Sequence, residues 1–143
     1  MNFFKPKFWD KNQISFFSVL LFPISLLVRA LSFFNCILTK INQPTIPVIC
    51  VGNVYLGGTG KTPACVEIFS IVKSLKMKPA FIKKKYESIQ DENDLQKQFG
   101  PIYQSKKRIE AIKEAEKNGV NVAILDDGFQ DFSIKKNLSI VCF

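Results

Sequence analysis

Two hydrophobic patterns divide the chain near residue 40. Residues 14–38 read ISFFSVLLFPISLLVRALSFFNCIL, a stretch long enough to span or line a bilayer as a helix at about 1.5 Å per residue. On a helical projection, Lys11, Ser15, Ser18, Ser25, Arg29 and Ser32 gather in an arc of about 100°, and Phe, Leu, Ile and Val fill the remainder. A broad apolar face with a narrow basic stripe suits a helix lying in a membrane interface. Its cations would face the head groups, with Phe and Trp9 toward the acyl chains. A transmembrane helix and a helix covering a domain core stay open as alternatives. Pro23 and Arg29 count against a plain span. A signal peptide is disfavoured, because no A-x-A site ends the apolar run.

Beyond residue 40, short apolar runs alternate with amphipathic ones. Residues 41–47 (INQPTIP) read as a linker. Residues 47–51 (PVICV) are rich in β-branched side chains and read as a buried parallel strand that Gly52 and Asn53 end. Residues 62–76 follow helical spacing, with Val66, Phe69, Ile71, Val72 and Leu75 as the apolar positions and Pro63 in the first turn. Residues 78–82 predict a second strand. Residues 106–117 predict a helix with Ile109 and Ile112 inward and an Asn118-Gly119 stop. Residues 120–125 and 138–143 predict two more strands. Strands alternating with helices imply an α/β fold with a parallel sheet. The expected division is an N-terminal membrane-associating helix over residues 1–40 and a nucleotide-binding domain over residues 41–143.

The chemistry lies in the connections. Gly57-Gly58-Thr59-Gly60-Lys61-Thr62 falls between the first strand and its helix, the context a P-loop requires. Glycines let successive backbone N–H groups turn around a phosphate, and the helix start adds its positive dipole end. Lys61 would reach the β- and γ-phosphates, and the Thr62 hydroxyl would ligate Mg²⁺. Tyr55 stands where the strict G-x-x-x-x-G-K-[ST] pattern has glycine, so the loop is a variant. Downstream, the strand over residues 120–125 runs into Asp126-Asp127-Gly128. Carboxylates at the C-terminal end of a strand beside a P-loop are placed to hold Mg²⁺ or its waters. A plain turn is the alternative for that tripeptide. Lys83-Lys84-Lys85 reads as a solvated loop, or as a substrate contact if it lies beside the phosphate site.

Composition narrows the picture only in places. Twenty Lys and Arg against 12 Asp and Glu give a net charge of +8. That attracts phosphate-bearing partners without choosing among nucleotides, nucleic acids and anionic lipids. The absence of His excludes His-based catalysis and His metal ligation from within this chain. Four cysteines without C-x-x-C spacing argue against zinc and against a disulfide scaffold. Cys50, Cys65 and Cys142 lie in apolar runs and read as buried, reduced thiols, which fits a cytosolic compartment.

The run PVICVGNVYLGGTGKTP followed by ILDDGFQ resembles the tetraacyldisaccharide 4'-kinases of lipid A synthesis, which carry a GN…GGxGKTP loop and a DDGxQ motif. The resemblance implies transfer of the ATP γ-phosphoryl group to the 4'-hydroxyl of an acylated glucosamine disaccharide 1-phosphate. It also implies a site on the cytoplasmic face of the inner membrane, with that membrane surface as a partner and no nucleic acid. By motif matching, residues Gly57 to Thr62 bind phosphate, and Asp126 and Asp127 take the metal side with Thr62. Asp91, in Gln90-Asp91-Glu92, answers to the family's G-D-E and becomes the candidate base, a surface acidic turn being the alternative. Arg108 answers to a family Arg at a helix start. The chain departs where the family has S-R-G-Y-G-G and this sequence has Lys83-Lys84-Lys85-Tyr86-Glu87-Ser88. It also has Asp131 where the family usually has His. Family members run on for a further half-chain, which implies a fragment, a split half or a decaying copy, with a missing C-terminal half as partner. Two other readings compete: a deviant P-loop ATPase of the partitioning type, despite Leu56 where those proteins place Lys, and a non-catalytic nucleotide-binding remnant.

Overall fold

The computed structural model describes residues 16–53, 60–85 and 96–142, without the side chains of Phe17 and Ser18. They form two compact units that divide after Lys40. The first contains α1 (Phe16–Leu38), a helix of 23 residues with Pro23 inside it. Its described apolar side chains, from Val19 to Leu38 together with Phe16, are exposed. Residues Val19–Leu38 are long and apolar enough to cross a membrane by length and composition. The Ser25 hydroxyl donates to the Phe22 carbonyl at 2.7 Å, one turn back and next to the proline that interrupts the backbone ladder.

The second unit is a five-stranded sheet, β1 (Val48–Asn53), β2 (Pro79–Lys84), β3 (Ile102–Ser105), β4 (Val122–Asp126) and β5 (Leu138–Cys142), in the order β3-β2-β4-β1-β5. Every pairing is parallel. Among the described residues the helices that pack on it are α2 (Lys61–Ser74) and α3 (Arg108–Lys117). Alternation along the strands divides the core into two layers. Val51, Phe81 and Ile124 meet Cys65 and Phe69 of α2, where the Phe69 and Phe81 rings stack at 4.7 Å. Val48, Cys50, Ile82 and Leu125 meet Ala111 and Ile112 of α3 on the other face. Right-handed crossovers explain the assignment of faces. The chain leaves β1 toward β2 on one side and returns from β3 to β4 on the other. β1 and β4 are therefore neighbours whose outgoing connections diverge, and the crevice at their C-terminal ends is the topological switch point where open α/β sheets bind ligands.

The expected α/β fold is present, with four adjustments. β3 was not expected: it has four residues, none of them fully buried, too few to display a period. β1, β2 and β4 run on through Asn53, Lys84 and Asp126. In α2 only Cys65, Phe69 and Val72 are buried, while Ile71 and Leu75 are exposed, because one sheet face is covered by one narrow stripe of the helix. In α3 the inward set is Arg108, Ala111, Ile112 and Ala115, with Ile109 half-buried.

Candidate functional site

Four elements deliver charged groups to the switch point. β1 ends at Asn53, and α2 begins at Lys61 behind Gly60, whose φ of 71° is left-handed, a conformation that favours glycine. No side chain caps α2 among the described residues, which leaves its first N–H groups to an anion or to water. Thr62 is half-buried in that first turn. Gly57, Gly58 and Thr59, which complete the expected cradle, lie outside the described residues, as does Asp91. The chain needs a residue without Cβ just before this loop as well. A Cβ on Gly52 would lie 2.3 Å from the Phe129 ring.

Asp126 and Asp127 are adjacent in sequence and opposite in environment. Asp126 is the last residue of β4 and shares the α2 face with Ile124. It is 8% exposed. Its Oδ2 lies 3.2 Å from the Lys83 Nζ and accepts a hydrogen bond from Gln96 Nε2 at 3.0 Å. Lys83 corrects the expectation of a solvated lysine loop. It is the fifth residue of β2, on the face of Phe81, and its side chain is 11% exposed. Strand alternation drives it inward, and the Asp126 carboxylate compensates its charge. Gln96 is fully buried, and its Oε1 has no partner among the described residues. Cys65 completes the surround. Burial raises its thiol well above the ordinary value, and the Asp126 carboxylate adds to the effect. Cys50 is likewise raised by burial. Both therefore stay protonated, as expected for buried thiols, whereas Cys142 is only half-buried.

Asp127 points outward. Its side chain is 65% exposed, with Oδ1 3.4 Å from the Lys61 Nζ. Its φ of 58° is left-handed, a strained conformation for an L residue with a side chain. Two bonds hold it there: its N–H donates to the Val51 carbonyl at 2.9 Å, and its carbonyl accepts from Arg108 Nη2 at 2.8 Å.

On the α3 face, Arg108 organises a cleft of about 520 Å³ lined by Lys84, Lys106, Lys107, Asp127, Gln130 and Asp131, among others. Arg108 is 8% exposed. Its Nη1 donates to Asp131 Oδ2 at 3.4 Å, and its Nε has no partner among the described residues. Burial tends to raise the Asp131 carboxyl, but hydrogen bonds from Ser133 and the Arg108 charge outweigh it and hold the group below its ordinary value.

The structure thus brings Lys61, Asp126 and Asp127 to one crevice and adds Lys83, Gln96 and Arg108. Sequence reasoning missed Lys83 and Gln96. The Phe81–Lys83 alternation was the available signal for the first, and nothing in the local pattern marks the second. No group of three or more Cys, Asp or Glu able to hold a metal occurs among the described residues. Thr62 and a carboxylate at the end of β4 still fit Mg²⁺, which takes oxygen donors and is bound through one or two carboxylates plus phosphate and water.

A parallel sheet whose switch point joins a lysine-bearing helix start to a strand-end carboxylate defines a P-loop nucleotide-binding fold. The family model for tetraacyldisaccharide-1-P 4'-kinase (LpxK) matches residues 17–96 and 91–143, and the chain belongs to this family. It is 44% identical over 139 residues to the tetraacyldisaccharide 4'-kinase of Pelagibacter ubique, covering 97% of this chain and 44% of that protein. It is 33% identical over 149 residues to that of Bartonella tribocorum, covering 91% and 42%. The crystal structure of LpxK from Aquifex aeolicus in complex with ATP superposes with a TM-score of 0.65 at 24% identity, covering 86% of this chain and 48% of that one. The chain therefore spans about half the length of the curated relatives it matches.

Proposed function

We propose that the chain is the nucleotide-binding half of a kinase that moves the γ-phosphoryl group of ATP to the 4'-hydroxyl of a tetraacylated glucosamine disaccharide 1-phosphate. The observation that carries this reading is the Lys61–Asp127 contact, which joins the start of α2 to the end of β4 at the switch point. In a family whose relatives are named for this reaction, that contact supports reading the crevice as the place of the nucleotide's phosphates.

The roles follow from chemistry. Gly57, Gly58, Thr59 and Gly60 offer backbone N–H groups to the phosphates, and Lys61 exchanges Asp127 for phosphate oxygens. A half-exposed ion pair is worth at most about 1 kcal/mol, so little opposes the exchange. Thr62 and the exposed Asp127 form the metal side, with Asp126 buried behind them at the end of β4. When bound, Mg²⁺ would supply charge neutralisation for the transferring group. Asp91 is the base that accepts the acceptor hydroxyl's proton. The cationic cleft around Arg108 suits the acceptor's phosphate-bearing sugar. Helix α1 holds the domain at the cytoplasmic face of the inner membrane, in reach of a lipid substrate, and no nucleic acid enters this reading.

The test is nucleotide binding first and transfer second. Calorimetry should detect Mg²⁺-dependent ATP binding by the chain, weakened at least about tenfold by Lys61→Ala. Unchanged affinity in that variant would defeat the reading. Transfer of labelled phosphate to the disaccharide lipid should be slow for the chain alone and rise when the second half of a relative is fused or added in trans, because acceptor positioning is worth many orders of magnitude.

A further inference from the structure

Resting on the nucleotide reading above, we infer that Lys83 divides the labour of the two aspartates: it locks Asp126 into the fold, leaving Asp127 as the carboxylate that takes the divalent cation. Three observations lead there. The Asp126 Oδ2 already meets Lys83 Nζ at 3.2 Å and Gln96 Nε2 at 3.0 Å. A hydrated cation needs a carboxylate oxygen that water can reach, and Asp126 is 8% exposed where the Asp127 side chain is 65% exposed. Asp127 is also held in a left-handed backbone by β1 and Arg108, and strain of this kind persists where surrounding structure enforces a direction. Its present partner, Lys61, is the group that nucleotide phosphates would draw away, which frees Asp127 as the cation arrives with them.

Lys83 is in this account a positioning residue. A lysine buried against a carboxylate compensates that charge permanently, and a divalent cation gains little by approaching a carboxylate already neutralised. Gln96 supports the arrangement from a third segment. It donates to Asp126 and keeps its own Oε1 inside the same buried layer.

The experiment uses the full chain in detergent, with ATP and Mg²⁺ as the probes and two readouts, melting temperature without nucleotide and ATP affinity across a Mg²⁺ titration. Asp127→Asn should cut the Mg²⁺ enhancement of ATP affinity at least about tenfold, as loss of a metal's protein partner does, with a melting temperature near that of the parent. Asp126→Asn should leave the enhancement within about twofold while lowering the melting temperature by more than about 5 °C. Lys83→Met should lower the melting temperature similarly, and Lys83→Met/Asp126→Asn should recover most of the loss, since no charge is then buried alone. That pair also keeps the Mg²⁺ test accessible if Asp126→Asn alone does not fold. Lys83→Met with Asp126 intact should increase the Mg²⁺ enhancement, because a second carboxylate is released. Loss of the enhancement in Asp126→Asn, or in the double variant, with its retention in Asp127→Asn, would overturn the assignment and leave the nucleotide reading standing. A parent chain that binds no ATP with or without Mg²⁺ would refute the nucleotide reading and this assignment with it.

Discussion

The two faces of the sheet meet the same crevice with opposite physics. On the α2 face, Lys83, Asp126 and Gln96 form a dry, interlocked group that water hardly reaches. On the α3 face, Arg108 and Asp131 border an open cleft in which Lys106, Lys107 and Asp127 are exposed. The difference comes from one peptide step. Asp126 is still in β4 and obeys strand alternation, whereas Asp127 has left it through a left-handed turn. Residues of the same type, side by side, thus serve as anchor and as contact.

The contrast predicts a graded series of effects. Asp126→Ala should cost the most, about 3–5 kcal/mol by denaturant unfolding, because it strands the buried Lys83 ammonium. A loss below about 1 kcal/mol would mean that water enters the α2 layer. Arg108→Met should cost less, about 1.5–3 kcal/mol, for bonds to a charged donor at the cleft's edge. It should also loosen Asp127 and weaken Mg²⁺-dependent ATP binding in the same titration. Acid should act on the α3 face. The Asp131 carboxyl is depressed in the fold, so its stabilisation is present above its unfolded value near about pH 3.9 and fades as pH falls through the lower folded value. Thermal melts below that pH should steepen for the parent, and Asp131→Asn should flatten them. The smallest effect belongs to Asp127→Gly, which removes side-chain strain at a left-handed position but adds freedom to the unfolded chain. Stability should shift by less than about 1 kcal/mol while Mg²⁺ dependence is lost, and a large destabilisation would show that the exposed carboxylate has a structural role after all.

Much of this layout was legible in the sequence, for identifiable reasons. The strands β1, β2 and β4 were read because buried parallel strands are uniform apolar runs. Lys61 and Asp127 were placed because motif spacing locates them at element ends. Lys83 was misread because a run of three lysines looks solvated when taken as composition, although its position two residues after Phe81 puts it on the buried face. β3 and Gln96 escaped because each depends on partners far along the chain: β3 exists through its register with β2, from Phe81↔Ile102 to Lys84↔Ser105, and Gln96 through an aspartate 30 residues on.

β5 lies at the end of the sheet, and among the described residues no strand pairs with its outer side. Leu138 and Val141, on opposite faces of it, are both exposed. A parallel strand with apolar side chains above and below and an unmatched row of backbone donors and acceptors is a template for any extended segment that meets it. In solution that edge should make this chain adhesive toward itself. Light scattering should grow with concentration, and Leu138→Lys, at the end of β5 remote from the crevice, should blunt the growth.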